Sequence, residues 1–151
     1  MKYDEIKVNS LMTELFYTIL KIEQNELRKG EFSDLSITEI HTLEAIGSEP
    51  NRTMTEVAAG LGITLGTLTT AVNRLIKKGY ARRGRIKEDK RVVIAELTEK
   101  GERAVALHNK FHIDMVRAAA SGLDDAQKEV LMSVLDRLKA FFVRMNNMSS
   151  V

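Results

Sequence analysis

With 151 residues, 44% of them hydrophobic and 29% charged, the chain is long enough for one globular domain with its own core. The absence of cysteine excludes disulfides and thiolate metal sites, and no apolar stretch approaches the roughly 20 residues of a membrane span. Because the charged N-terminal residues 1–7 contain no apolar run of the signal-peptide type, we expect a cytoplasmic protein with no membrane partner.

The sequence has a helical pattern up to about residue 79. Apolar side chains recur at helical spacing over residues 4–28, and Gly30 ends this predicted helix. Ser36 and Glu39 have the spacing of a capping box, in which each residue binds a free backbone N–H of the other. This pair predicts a second helix that ends near Gly47.

Two short helices joined by a glycine turn are predicted next. Thr53 and Glu56 form a second capping-box pattern, residues 60–62 form the turn, and Thr64 is the expected N-cap of the following helix. Gly79 ends that helix as a left-handed C-terminal residue. Its inward stripe has helical spacing and consists of Leu68, Val72, Leu75 and Ile76.

A β-hairpin interrupts the helical pattern. Residues 80–85 and 92–97 are predicted strands on either side of a polar, basic tip at 86–91. A long helix is expected to run from Thr98 to about residue 121, and a last helix begins at the cap formed by residues 124–127.

The charges of the chain concentrate on this hairpin and the helix before it. The formal net charge is only +2, yet residues 73–91 contain nine basic and two acidic side chains. The rest of the chain has 14 basic and 19 acidic ones. Such a positive segment on an acidic body is typical of a surface that binds phosphates, although a solvated charged face is the alternative.

The order of these elements predicts a winged helix-turn-helix. The DNA major groove accepts one α-helix, and a basic hairpin beside that helix can reach the flanking minor groove. A helical protein-interaction module is an alternative of another class, but it leaves the basic hairpin unexplained. An enzyme is not expected, because the chain lacks the zinc-peptidase pattern and a complete phosphate-binding loop.

Five segments carry a resemblance to the MarR family of transcriptional regulators, and the resemblance covers nearly the whole chain. It implies one MarR-type domain over 1–151, with the winged helix-turn-helix at 36–97 and dimerisation helices at 1–30 and 98–147. A homodimer then binds a pseudo-palindromic, A·T-rich operator in double-stranded DNA. The segments are 72–75 (VNRL), 77–80 (KKGY), Arg82, 89–91 (DKR) and 97–101 (LTEKG).

The predicted DNA-binding residues lie on the second helix of the motif and on the hairpin. The resemblance implies that Arg91 enters the minor groove and that Asp89 steadies the wing by pairing with a nearby basic residue. Gly66 replaces the usual small hydroxyl residue, which eases close approach of the backbone. The full set is Thr64, Gly66, Thr67, Thr70, Arg74, Arg85, Lys87, Asp89, Lys90 and Arg91.

Within the family, the chain is similar to repressors of fatty-acid synthesis genes. That subgroup uses long-chain acyl-acyl carrier protein as co-repressor, with the acyl chain lodged between dimer-forming helices. The apolar helix faces at 11–22 and 104–116 are the expected lining, although periodicity alone cannot distinguish a tunnel from ordinary core. The matching segments are 22–23, 27–28, 36–37, 41–42, 63–70, 78–80, 91–93, 107–108 and 111–112.

The histidines support an alternative effector, zinc. Glu23, His41, His108 and His112 match the positions of a zinc site in zinc-responsive MarR repressors. His108 and His112 lie four residues apart on one predicted helix, so both imidazoles can face one metal ion. The same histidines also occur in the fatty-acid subgroup and therefore do not discriminate between the two effectors. No cofactor is required by either reading.

Overall fold

The computed structural model describes residues 4–86 and 89–148, and these residues form six helices and one antiparallel hairpin, as predicted. The chain divides into two compact units, Met1–Asn109 and Lys110–Val151, with the division inside the fifth helix. The elements are α1 (Glu5–Lys29), α2 (Ile37–Gly47), α3 (Met54–Leu61), α4 (Leu65–Lys77), β1 (Ala81–Arg85), β2 (Val93–Leu97), α5 (Glu99–Ala119) and α6 (Asp125–Met148).

The helix starts are fixed by local side chains, and the capping predictions are confirmed. The side chains of Ser36 and Thr53 each accept a hydrogen bond from the backbone N–H three residues on. In both boxes the carboxylate of the glutamate at that position accepts a hydrogen bond from the backbone N–H of the cap residue. Thr64 caps α4 through the backbone N–H of Thr67 at 3.1 Å. These caps satisfy N–H groups that have no partner inside the helix, which fixes where each helix begins.

Two glycines end the helices of the motif. Gly62, after α3, and Gly79, after α4, have φ angles of 66° and 81°. A side chain added at either position would have open space around it, so the requirement for glycine comes from the left-handed backbone. The turn at 62 aims α4 away from α3, and the turn at 79 directs the chain into the hairpin.

Both hydrophobic clusters of the first unit pack against α4. One cluster joins it to α2, the loop after α1 and the start of α5; the other joins it to α2, α3 and the hairpin. Leu68, Val72 and Leu75 of α4 are fully buried, as the stripe predicted, and Ile76 is half-buried. One face of α4 is therefore held rigidly, which leaves the opposite face free to meet a ligand.

Tyr80 is a polar centre within this core. Its hydroxyl donates a hydrogen bond to Asp34 at 2.5 Å, and the ammonium of Lys100 lies 3.9 Å from the centre of its ring. Burial and the Asp34 carboxylate raise the pKa of the Tyr80 hydroxyl far above its ordinary value, so it stays a donor at any physiological pH. Tyr80 therefore ties the loop before α2 to the segment after α4.

Lys78, at the end of α4, contacts the same loop. Its ammonium donates to the backbone carbonyl of Asp34 at 2.5 Å and to the Glu39 carboxylate at 2.8 Å. Lys78 belongs to the basic segment 73–91, but the structure uses it to hold α4 against α2. Burial raises the pKa of Glu39, but hydrogen bonds from Lys78 and the Ser36 backbone outweigh it and leave this pKa below its ordinary value.

Glu39→Gln is expected to destabilise the protein by about 1 kcal/mol at pH 7, since the substitution weakens a capping box and removes an ion pair. Because the pKa of Glu39 is lowered by folding, its contribution is present above the ordinary value of 4.5 and is lost as the pH falls through the folded value. The midpoints of urea unfolding for the two proteins should differ at pH 7 and converge as the pH falls below 4.5. A constant difference across that range would contradict this assignment.

Apolar surface remains on α1 and throughout the second unit. Among the described residues of α1 only Glu23 is buried, while Leu11, Leu15 and Phe16 each expose 56% of their surface. Helix α6 has no buried side chain among those the structure describes, although its sequence is amphipathic. None of the described helices is long and apolar enough to cross a membrane. These faces are therefore candidates for contact with another protein chain.

Candidate nucleic-acid interface

The outer face of α4 presents the predicted recognition residues together. Gly66, Thr67, Thr70 and Arg74 are exposed on this helix, opposite its buried stripe. Thr64 precedes the helix, and its hydroxyl lies 2.8 Å from that of Thr67, so the two side chains are oriented by each other. The backbone at Gly66 is open, since an added Cβ would meet only the Thr64 hydroxyl, at 3.9 Å.

The threonine hydroxyls of α4 are partly engaged within the helix. Thr70 donates to the carbonyl of Gly66 at 3.1 Å, and Thr69 donates to that of Leu65 at 2.8 Å. With its hydrogen used in this way, the Thr70 side chain offers a partner its methyl group and oxygen lone pairs. Such a surface suits the C5-methyl group of thymine and the amino donors of base edges more than it suits phosphate oxygens.

The hairpin beside α4 is pinned at its base and at its tip. Its strands pair in antiparallel register from Ala81 opposite Leu97 to Arg85 opposite Val93. At the tip, Arg85 donates to the carbonyl of Lys90 at 2.6 Å, and the Asp89 carboxylate accepts from the backbone N–H of Arg91 at 2.9 Å. These contacts shape the turn from which the exposed Arg91 side chain projects.

The structure describes three of the four predicted DNA-binding residues at positions 87–91 and leaves one undescribed. Lys87 lies outside the described residues. Lys90 and Arg91 are exposed. For Asp89 the structure gives a backbone partner, so its predicted pairing with a basic side chain stays a prediction.

Sequence reasoning did not identify a contact between the hairpin and the recognition helix. Arg83 of β1 donates to the side-chain carbonyl of Asn73 on α4 at 2.8 Å. The neighbouring Arg82 instead forms an ion pair with Glu96 of β2 at 2.9 Å. Because side chains alternate along a strand, the two arginines lie on opposite faces, and this could be predicted from the sequence. Their partners could not be predicted in this way.

Three of the four predicted zinc ligands are brought together in the first unit. Donor atoms of Glu23, His41 and His108 all lie within 4.8 Å of one another, and Glu23 and His108 are buried. A carboxylate oxygen of Glu44 lies 3.8 Å from Nε2 of His108 and was not predicted. His112 belongs to the second unit and is not a member of this cluster among the described residues.

A family model described as MarR family matches residues 33–92 of the chain. The chain is similar to the crystal structure of Streptococcus pneumoniae FabT in complex with DNA, with 38% identity and a TM-score of 0.88. That match covers 94% of this chain and 99% of the FabT chain. The matched family segment includes the whole of α2, α3, α4 and β1.

Two curated relatives are named as transcriptional regulators. The regulator SarZ of Staphylococcus haemolyticus is 30% identical over 100 residues, which cover 64% of this chain and 68% of the relative. An uncharacterised HTH-type regulator of Bacillus subtilis, YhjH, is 30% identical over 93 residues, or 58% of this chain. The chain spans only 53% of the length of YhjH. These relatives are named as regulators, none as an enzyme.

Proposed function

Since the chain belongs to the MarR family of DNA-binding transcriptional regulators, we propose that it is a homodimeric repressor of fatty-acid biosynthesis genes, acting in the cytoplasm. Its proposed co-repressor is long-chain acyl-acyl carrier protein. The observation that carries this proposal is the similarity to FabT along nearly the whole chain. The sequence segments typical of the fatty-acid subgroup, described above, agree with it.

The exposed apolar faces support the homodimer. In a single chain, α1 exposes Leu11, Leu15 and Phe16, and α6 exposes Leu135, Phe141 and Phe142, each by about half of its surface. Monomeric proteins rarely leave contiguous apolar patches of this kind in water, and burying such a patch against a second copy is strongly favourable. A two-fold axis presents two copies of α4 to successive major grooves, about one helical turn apart.

The same apolar faces support the proposed acyl site. Leu15 of α1 and Leu107 of α5, which both belong to the first unit, expose apolar side chains. The dimer can hold its two recognition helices at different spacings. An acyl chain bound between the dimerisation helices changes the affinity for DNA only if it binds more tightly to one spacing than to the other. A co-repressor must therefore prefer the spacing that fits the operator.

Acidic carrier protein needs a basic docking surface, and the candidates in this chain are Arg28, Lys29, Arg103 and Lys110. Three of them already have acidic partners. Lys29 lies 3.7 Å from Glu26, Arg103 pairs with Glu31, and Lys110 pairs with Asp114. Exposed ion pairs of this kind contribute little to stability. Acidic groups of a carrier protein can therefore replace the present partners at a small cost in free energy.

A second candidate function is a zinc-responsive repressor, and the cluster of Glu23, His41 and His108 favours it. Tetrahedral zinc sites have metal–ligand distances of about 2.0–2.2 Å, which places ligand atoms about 3.3 Å apart. The three donor atoms would need to approach by about 1.5 Å at most. The three side chains would supply three of the four ligands, and a bound zinc ion would link α1, α2 and α5 by coordination.

Operator binding in the presence of each effector is the experiment that separates these functions. An operator selected from random DNA by the purified, chelator-treated protein is labelled, and its affinity is measured by fluorescence anisotropy. We expect long-chain acyl-acyl carrier protein to tighten binding at least about fivefold, the lower end of typical allosteric coupling. Unacylated carrier protein is the matched control and should have no effect.

The zinc arm of the experiment uses His108→Ala. Tightening by zinc alone, lost in this variant, would replace the lipid-sensing proposal with the metal-responsive one. Retained tightening by the acylated carrier in His108→Ala would leave the histidines a structural role. If neither effector changes the affinity, both proposed effectors are wrong while the DNA-binding function stands.

A further inference from the structure

At the junction between α4 and the hairpin, one arginine is oriented by a hydrogen bond but has no ion pair among the described residues. Arg83 reaches from β1 to α4, where its guanidinium donates to the Asn73 side-chain carbonyl at 2.8 Å. Both side chains are exposed. Among the residues the structure describes, the partner of this guanidinium is a neutral amide, so no ion pair compensates its positive charge.

Three other basic side chains of the segment 73–91 already have partners within the chain. Lys78 pairs with Glu39 at 2.8 Å, and Arg82 pairs with Glu96 at 2.9 Å. Arg85 turns to the carbonyl of Lys90 at the tip. Of the adjacent arginines 82 and 83, one is therefore neutralised and the other is oriented but still charged.

Asn73 places this charge on the DNA-facing side of α4. Residues 66, 70 and 73 are four and three apart, so they lie along one face of the helix. Gly66 and Thr70 of that face are predicted DNA-binding residues, and both are exposed. The hydrogen bond that Arg83 donates to Asn73 brings the guanidinium to the C-terminal end of this face.

We infer that Arg83, oriented by Asn73, is a further binding residue, which holds a phosphate of the operator backbone between the groove filled by α4 and the groove reached by the hairpin. This inference rests on the DNA-binding function stated above. A guanidinium fixed by one hydrogen bond still has N–H donors for phosphate oxygens, and its fork geometry suits that ligand. A phosphate contact positions the protein on the duplex and carries no base specificity of its own.

The Asn73 amide has a defined part in this site. An aspartate at the same position would keep the hydrogen bond and strengthen it, but its charge would compensate that of Arg83. The neutral amide therefore orients the arginine without compensating its positive charge. If the contact served only to fasten the hairpin to the helix, an aspartate would do so better.

Arg83→Gln is the test, with Arg82→Gln as the matched control on the neighbouring residue. Binding to the selected operator and to unrelated duplex is measured by anisotropy from low to moderate salt. We expect Arg83→Gln to weaken both about tenfold or more and to reduce the slope of log affinity against log salt by about 1 per subunit. Arg82→Gln should change neither quantity by more than about twofold, because Glu96 already compensates its charge.

Asn73→Asp distinguishes a phosphate contact from a structural latch. We expect this variant to weaken binding and to lower the salt slope as Arg83→Gln does, with unchanged thermal unfolding. Unchanged or tighter binding by Asn73→Asp would overturn the proposal, as would Arg83→Gln with a wild-type slope. Loss confined to the operator and absent on unrelated duplex would also overturn it, since that pattern indicates a base contact. A wild-type protein that bound no DNA would refute the DNA-binding function instead.

Discussion

Replacing Arg91 with alanine is expected to weaken operator binding by about 100-fold while the dimer remains folded, since each of two subunits loses a groove contact of about 1–3 kcal/mol. Arg91 is exposed at the tip of the hairpin, and its own backbone N–H is fixed by Asp89 at 2.9 Å. The side chain can be removed without disturbing that bond. Anisotropy at moderate salt measures the loss, and circular dichroism checks the fold.

Two further variants interpret that result. Arg91→Lys keeps the charge but loses the planar donor fork, so its affinity should fall between those of the wild type and the alanine variant. Arg117→Ala is the control for charge alone, because Arg117 lies on α5 and pairs with Asp114 at 3.1 Å. Wild-type affinity in Arg91→Ala would show that the hairpin does not enter a groove.

Gly101→Ala is expected to destabilise the fold strongly. A Cβ at this buried position would lie 2.1 Å from the backbone carbonyl oxygen of Tyr80, far inside van der Waals contact. That oxygen also accepts the N–H of Thr98 at 3.1 Å, so it cannot move without breaking the link between the hairpin and α5. Overpacking of this kind costs about 3 kcal/mol. For a chain of this size, such a loss lowers the thermal midpoint by about 10 °C.

Gly66→Ala provides the matched control for that experiment. Its added methyl group would meet only the Thr64 hydroxyl at 3.9 Å, and alanine is favoured over glycine in a helix by about 1 kcal/mol. We expect its thermal midpoint, measured at the same protein concentration, to rise slightly. Equal midpoints for wild type and Gly101→Ala would show that α5 can shift away from the hairpin at little cost.

The sequence predicted the parts of the fold that depend on neighbouring residues. Capping boxes at Ser36 and Thr53, and the left-handed glycine at position 79, fix their helix ends through contacts within a few residues, so their patterns are visible in the chain. The buried stripe of α4 was likewise readable from spacing alone. The predicted order of helices and hairpin followed from these local signals.

Contacts between distant segments were not predictable in the same way. Lys78 and Glu39 are 39 residues apart in the chain, and nothing in the composition of 73–91 indicates which of its cations are compensated. The pairing of Arg83 with Asn73 depends on the angle at which the hairpin leaves α4, which is a tertiary property. Charge counts therefore identified a candidate DNA-binding surface but included cations, such as Lys78 and Arg82, that carboxylates of the chain already compensate.

Apolar periodicity had a different shortcoming. It predicted α1 correctly as a helix, but a helical stripe looks the same whether it faces the chain's own core or a second protein. In this structure α4 buries its stripe within the first unit, whereas Leu15 and Phe141 remain about half exposed. Only the packed structure separates these cases.

The contacts around the end of the recognition helix have a mechanical consequence. Lys78 and Tyr80 both hold Asp34, and Lys100 of α5 reaches the backbone carbonyl of Lys78 at 3.2 Å. A helix clamped from two sides cannot swivel on its own turn. A ligand that repositions α4 at this end would therefore have to move the helix, the loop before α2 and the first turn of α5 together. The orientation of α4 is therefore coupled to the orientation of α2 and α5 through these three contacts.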